Sequence, residues 1–301
     1  MKLTRSVVVA ALALGLCFGA AQAQTTHKKS TAKKHTTKMA VRETSAPVRH
    51  RMAEKEYLVG QTMNGNTGLL TQETAQSLPK SKFRGGLNLE YASFGNGFSQ
   101  FQIRGGVGYG ITKDLEVYGT LPFVSDSYTG ASASGIGSIQ VGGKYIIAGK
   151  GSTPVNFGLG ADIGFAGDTK VTPYSGVNIG LKGMVTAKTA GILLNGTLGF
   201  VITGSSNITG LGVNPNPPYN LINVTYSYNP PDYVYLSGGV GVPFTPTLTG
   251  IAELNINPYG TDSSNILAGI RAGQKTQLQA GLTIGIGSAA ADIGLLAGVV
   301  F

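Results

Sequence analysis

The chain has 301 residues, a net charge of +9, one cysteine and no tryptophan. A single cysteine excludes an internal disulfide and a thiolate metal cluster, and no stretch after residue 23 approaches the roughly 20 consecutive apolar residues of a spanning helix. The excess charge is confined to the amino-terminal part: residues 24–82 hold 11 Lys and Arg against 4 Asp and Glu, whereas residues 83–301 hold 10 of each. That balance leaves the large carboxy-terminal part without the basic face of a nucleic-acid binder, so no nucleic-acid partner is expected.

The first element is a signal peptide over residues 1–23. "MKLTR" supplies two positive charges, Val7 to Leu16 form a short apolar run, and "AQA" places small residues before a cleavage point near Ala23. Cys17 lies inside it, so the chain from Gln24 onward carries no cysteine. Residues 24–59, including "TTHKKSTAKKHTTKMAVRETSAPVRHRM", are too polar to build a core and are expected to form a disordered basic arm. In the periplasm such an arm would meet peptidoglycan or anionic lipid. The three histidines, His27, His35 and His50, all fall in this arm at spacings that do not suggest a metal site. Residues 60–82, "GQTMNGNTGLLTQETAQSLPKSK", carry more pattern and read as a strand or plug at the mouth of the domain that follows.

From residue 83 the sequence is glycine-rich and alternates with a period of two. In "LTGIAELNIN", Leu248, Ala252, Leu254 and Ile256 share one face; in "TQLQAGLTIGIG", Leu278, Ala280, Leu282, Ile284 and Ile286 do the same. This is a strand signal with no helical interruption. Charges identify which face is which. Glu90, Arg104, Glu116, Lys144, Asp162, Lys182, Glu253 and Arg271 all take the parity opposite to the apolar residues, as do Arg84 and Asp292 at strand ends. Charge on one face and hydrocarbon on the other is what a transmembrane β-barrel requires, because a midplane Lys or Arg toward lipid costs roughly 2–4 kcal/mol. Those eight residues are therefore the candidate lining of the lumen. A soluble β-sandwich is the alternative that the alternation by itself leaves open.

Five short turns, near 112–114, 148–153, 187–189, 245–247 and 273–275, alternate with longer polar connections near 94–98, 126–134, 167–174, 204–231, 258–263 and 287–291. Together they join twelve antiparallel strands in an up-and-down barrel over residues 83–301, provided that 204–231 is one long loop. Reading "YNLINVTYSYN" as one further wall strand leaves an odd total, and an extra hairpin there gives the alternative of 14 strands. The alternation Ile293, Leu295, Ala297, Val299, Phe301 ends the last strand on a lipid-facing aromatic residue, and pairing of that strand with the first closes the barrel. Such an aromatic end resembles the signal read by the outer-membrane assembly machinery.

Within the barrel, Glu90 with Arg104 and Asp162 with Lys182 flank connections in nearly matched register, so each reads as an ion pair or as part of a charged constriction. Inward glycines, among them Gly106, Gly108, Gly110, Gly158, Gly160, Gly164, Gly281 and Gly285, either relieve sheet curvature or leave room for an occupant. The connection at 204–231, with Tyr219, Tyr226 and Tyr228, is a candidate gate at the mouth. Histidine is absent after His50, which removes Ser–His and Asp–His chemistry from the barrel, and "AGKGST" and "GVGYG" do not fit phosphate-loop spacing. No enzyme activity, cofactor or metal is expected.

"FQIRGGVGYGITKDLEVYGTLPFV", "GIGSIQVGGKY", "GVPFTPTLTGIAELN" and "DIGLLAGVVF" resemble the outer-membrane barrel family named for a phenol meta-cleavage degradation pathway, over roughly residues 62–301. The resemblance implies a channel for small, often hydrophobic or aromatic compounds. The expectation is thus an outer-membrane channel or transporter with a polar, charged lumen, whose partners are lipid, the assembly machinery and a small solute. The alternative is a structural barrel whose basic arm binds peptidoglycan or other anionic envelope components.

Overall fold

The computed structural model describes residues 60–128, 131–149, 154–168, 176–189, 191–213, 221–228, 231–257 and 263–301. The signal peptide, the basic arm with its histidines, and Tyr219 lie outside the described residues.

In chain order the strands are β1 (Gly60–Gln61), β2 (Thr67–Gly68), β3 (Phe83–Phe94), β4 (Phe98–Gly110), β5 (Leu115–Tyr128), β6 (Ala131–Ile136), β7 (Ile139–Ala148), β8 (Val155–Phe165), β9 (Val177–Thr189), β10 (Ile192–Ile202), β11 (Ser206–Val213), β12 (Leu221–Tyr228), β13 (Tyr233–Thr245), β14 (Leu248–Ile256), β15 (Asn265–Ala272), β16 (Gln277–Gly285) and β17 (Ile293–Val300). Twelve of them form a closed antiparallel ring: β3, β4, β5, β7 to β10 and β13 to β17. The ring closes where β17 pairs with β3, from Ile293 opposite Ser93 to Val300 opposite Gly86. Phe301 extends that ladder, exchanging backbone hydrogen bonds of 2.9 and 3.0 Å with Gly85. A side chain at Gly85 would sit 2.9 Å from the Phe301 ring, so glycine is the residue that lets the last aromatic lie flat on the wall. Closure leaves no free edge and satisfies the backbone within hydrocarbon.

Two connections differ from the sequence expectation. Within 126–134 the described residues are strand: β5 runs on to Tyr128 and β6 folds back on it, from Tyr128 opposite Ala131 to Phe123 opposite Ile136. The stretch 204–231 is not unpaired loop either. β11 and β12 pair with each other over eight residues, from Ser206 opposite Tyr228 to Val213 opposite Leu221, as a sheet separate from the ring. "LINVTYSY" has strong strand propensity and finds its partner in "SNITGLGV". Because β10 pairs directly with β13, from Leu193 opposite Gly241 to Val201 opposite Tyr233, this hairpin adds nothing to the ring and the count remains twelve.

The outer face carries Leu87, Tyr91, Leu121, Phe157, Leu181, Leu282, Leu295 and many similar exposed side chains. Among the described strand residues, no Asp, Glu, Lys or Arg takes that parity. Leu121→Lys, on the outer face of β5, is expected to destabilise the barrel in vesicles by up to about 2–4 kcal/mol in a urea titration. Gln140→Lys, on the inner face of the neighbouring β7, is expected to cost far less.

The short turns and both ends of the ring lie at one rim, which in outer-membrane barrels faces the periplasm. Residues 60–82 start and finish at this rim. Gly60 lies against Arg271 and Gln277, beside the turn between β15 and β16. Ser77 donates to the Lys113 carbonyl at 2.6 Å and Ser81 to the Gly110 carbonyl at 2.7 Å, in the turn region between β4 and β5. Between these points the segment occupies the lumen.

Candidate functional site

The lumen-facing charges meet the backbone of this segment. Glu116, on β5 directly opposite Lys144 on β7, is fully buried. Its carboxylate accepts hydrogen bonds from the Thr67 amide and hydroxyl, both at 2.7 Å, and from the Leu78 amide at 2.8 Å. Lys144 lies 3.9 Å from Glu116 and donates to the carbonyls of Thr67 and Thr74. Across the barrel Glu253 accepts from the amides of Leu70 at 2.7 Å and Thr71 at 3.1 Å, and from the Thr71 hydroxyl. Arg271 donates to the carbonyls of Gly68 at 3.1 Å, Gln61 at 3.2 Å and Leu69. A carboxylate accepts amides and a cation donates to carbonyls, so each wall charge binds the part of the peptide that matches its sign.

Between wall and segment, one described contact joins charged side chains. Lys182 forms an ion pair with Glu73 of the segment, lies 3.4 Å from Asp162 and donates to the Tyr118 hydroxyl at 2.9 Å. Neutral wall groups complete the seat. Asn195 donates to the Glu73 carbonyl at 2.7 Å, the Thr186 hydroxyl accepts from the Ala75 amide at 2.7 Å, and Gln72 reaches back to the Gly238 carbonyl at 2.7 Å. Apolar contact accompanies the polar one: Met63, Leu69 and Leu70 form a buried cluster with Leu193, Ile251, Leu267 and Leu296 of the wall.

Glycines on β4 make the approach possible. Side chains at Gly106 and Gly108 would fall 3.0 Å from the Gly65 Cα and 2.7 Å from the Gly65 carbonyl oxygen, and one at Gly110 would overlap the Pro79 carbonyl. Gly65 itself turns with a φ of 84°, which only glycine adopts without strain. At these three wall positions the missing side chains accommodate a peptide. Gly158 and Gly160 instead face the wall side chains Met184, Ile146 and Lys182.

Of the eight lumen candidates, Glu116, Lys144, Lys182, Glu253 and Arg271 are thus covered by the segment. Glu90, Arg104 and Asp162 lie toward the longer-loop end. Arg104 is opposite Asn88 rather than Glu90, one cross-strand step from the expected register, and reaches Glu90 diagonally at 3.8 Å. Asp162 and Lys182 also meet diagonally, each facing a glycine across the ladder. Arg104 also binds the Asn64 side chain of the segment at 2.6 Å and Gln102 at 2.9 Å. Sequence reading missed Asn195, Thr186 and Gln72. Their signal is weak, since polar residues at inward parity are common to every strand.

Beyond the segment, toward the longer-loop end, the lumen widens into an open vestibule of about 430 Å³. Its floor includes Asn64, and its wall carries Gln100, Gln102, Arg104, Gln140, Asp162, Asn178 and Tyr233. Among the described residues no group of His, Cys, Asp and Glu is arranged to hold a metal ion.

No protein-family model and no curated protein matches the chain. Among solved structures it is similar to the COG4313 outer membrane channel from Pseudomonas putida F1, with a TM-score of 0.53 and 13% identity over 77% of this chain and 99% of that one. The Ralstonia pickettii toluene transporter TbuX scores 0.45 at 10% identity over 76% and 91% of the two chains. A mutant of the TodX monoaromatic hydrocarbon channel scores 0.46 at 9% identity over 81% and 97%. The first likeness shows a shared fold; the two lower scores carry no argument. The chain has the fold of a twelve-stranded outer-membrane β-barrel, with residues 60–82 seated in the lumen.

Proposed function

We propose that the protein is an outer-membrane channel for small solutes, closed in this state by residues 60–82 and opened when they leave the lumen. One observation carries this reading: the wall charges bind the segment mainly through its backbone and polar groups, in a lumen lined mostly by polar side chains beside one apolar cluster at Leu193, Ile251, Leu267 and Leu296. A barrel meant only as a solid support could fill its interior with side chains from its own strands. Here the filler is a single segment tethered at one rim, so its departure would leave a polar passage. The resemblance noted in the sequence would make the solutes hydrophobic or aromatic; the polar vestibule favours a different class, treated below.

The absence of cysteine after residue 23 allows a clean test. Asn64→Cys with Arg104→Cys, joined by a short reducible thiol-to-thiol linker, ties the segment to the wall. Solute uptake into proteoliposomes is expected to fall to the protein-free level when the linker is in place and to recover on reduction. Equal uptake in both states would defeat the proposal.

A second reading rests on the sequence before the segment. Gly60 sits at the rim with the short turns, and residues 24–59, which precede it in the sequence, are strongly basic. A structural barrel whose arm binds peptidoglycan is therefore the competing function. It predicts co-sedimentation with purified sacculi that is lost when residues 24–56 are removed. Phe301, at the closing seam, fits a role in recognition by the assembly machinery. Deleting it is expected to lower the amount of folded barrel in the outer membrane more than Phe301→Tyr does.

A further inference from the structure

The vestibule has chemistry of its own. It is lined by five carboxamides: Asn64 on the floor and Gln100, Gln102, Gln140 and Asn178 on the wall. Several are held in place. Gln100 donates its amide to Asp126 at 2.9 Å, Gln140 donates to Asp162 at 3.0 Å, and the Asn178 side-chain oxygen accepts from the Gly204 amide at 3.0 Å. Strands β4, β7 and β9 fix the spacing of the four wall carboxamides, Gln100, Gln102, Gln140 and Asn178, each at a defined ladder position. The wall is therefore oriented before any ligand arrives, which reduces the ordering cost of binding.

Charge at this site is internally balanced. Arg104 faces Glu90 and the oxygens of Asn64 and Gln102, and Asp162 faces Lys182 and Gln140. A solute of either sign would have to compete with these partners. An apolar solute would strip water from five carboxamides without replacing their hydrogen bonds, at a cost for each. A solute with many hydroxyls meets neither difficulty. Each hydroxyl both donates and accepts, as a carboxamide does, and the Tyr233 ring beside Val201 offers a surface for the C–H face of a sugar ring. The volume lies within the roughly 300–1,000 Å³ usual for small-molecule sites.

We infer that the vestibule is a binding site for an uncharged polyhydroxylated solute of the oligosaccharide class. This deepens the channel reading by naming its solute, and rests on that reading only for the step beyond binding. Asn64 belongs to the closing segment and forms the floor, so a bound solute lies against the part that must move.

The test is equilibrium binding of maltotriose to the refolded full-length chain from Gln24, in a detergent without a sugar headgroup. Galacturonate and toluene serve as the anionic and apolar comparisons. Maltotriose is expected to bind, and the other two to bind at least tenfold more weakly. Gln100→Leu and Gln140→Leu are each expected to weaken maltotriose at least tenfold while the barrel keeps its heat-modifiable gel mobility. Tighter binding of galacturonate or toluene, no binding of maltotriose, or maltotriose binding unaffected by both substitutions would overturn the inference. Binding is read without any current or flux. A barrel that conducts once residues 61–78 are removed but does not bind maltotriose removes this inference and spares the channel; one that binds but stays silent even without residues 61–78 does the reverse.

Discussion

Glu253→Ala is expected to unseat the middle of the lumen segment. The carboxylate accepts from the amides of Leu70 and Thr71 and from the Thr71 hydroxyl in a site that is almost fully buried. Hydrogen bonds to a charged group contribute about 1.5–3 kcal/mol each, and donors left without a partner carry a further penalty. Water entering the vacated space recovers part of this, leaving a net loss of about 3–5 kcal/mol for the seated state. Since every 1.4 kcal/mol is about tenfold, amide exchange at residues 69–72 is expected to accelerate by two to three orders of magnitude. Exchange in β14 and β15 should change far less. Glu253→Gln keeps an acceptor in place and is expected to accelerate exchange by a smaller factor. If Ala left the protection of these amides intact, the carboxylate would not be an anchor.

The second large effect concerns a wall position without charge. Gly108 faces the lumen, and a side chain there would lie within 2.7 Å of the Gly65 carbonyl, a backbone atom that cannot step aside alone. Gly108→Leu is therefore expected to exclude the segment's first turn while leaving the β4 ladder intact. Forcing a large group into a filled site costs about 1–3 kcal/mol or more, whereas replacing glycine inside a strand removes a conformational penalty. The two halves of the molecule should then respond in opposite directions. Proteases added on the turn side should cut residues 61–75 at least tenfold faster, and the barrel's urea midpoint should hold or rise. A fall in both would mean that the glycine serves the wall rather than the segment.

Much of this architecture is legible in the sequence because a membrane barrel is governed by a period of two. Lys144, Lys182, Glu253 and Arg271 could be placed on the inner face from parity alone, since lipid tolerates no charge at the alternate positions. Phe301 could be placed at the seam for the same reason. Exact register was not legible, as the diagonal Arg104–Glu90 pair illustrates, because local alternation fixes the face and not the partner. The hairpin of β11 and β12 was hidden by composition: Asn- and Pro-rich flanks read as loop, although the strands between them pair with each other. The seating of residues 60–78 was the least accessible feature. It depends on backbone amides and carbonyls meeting wall charges far away in the chain, as Thr67 and Leu78 meet Glu116, and backbone donors leave no mark in a sequence. The pattern of residues 60–82 suggested a strand or plug at the mouth and Gly106, Gly108 and Gly110 left room for an occupant, but curvature would have explained those glycines equally well.

The central claim is that residues 60–82 close a conducting barrel. Single-channel recording in planar bilayers tests it most directly, with the chain from Gln24 compared with the same chain lacking residues 61–78, both folded by heat-modifiable mobility. The account predicts silence or brief openings from the intact chain and stepwise ohmic currents from the shortened one. Equal steady currents from both would show that the segment does not close the lumen, and silence from a folded, shortened barrel would show that there is no channel to close.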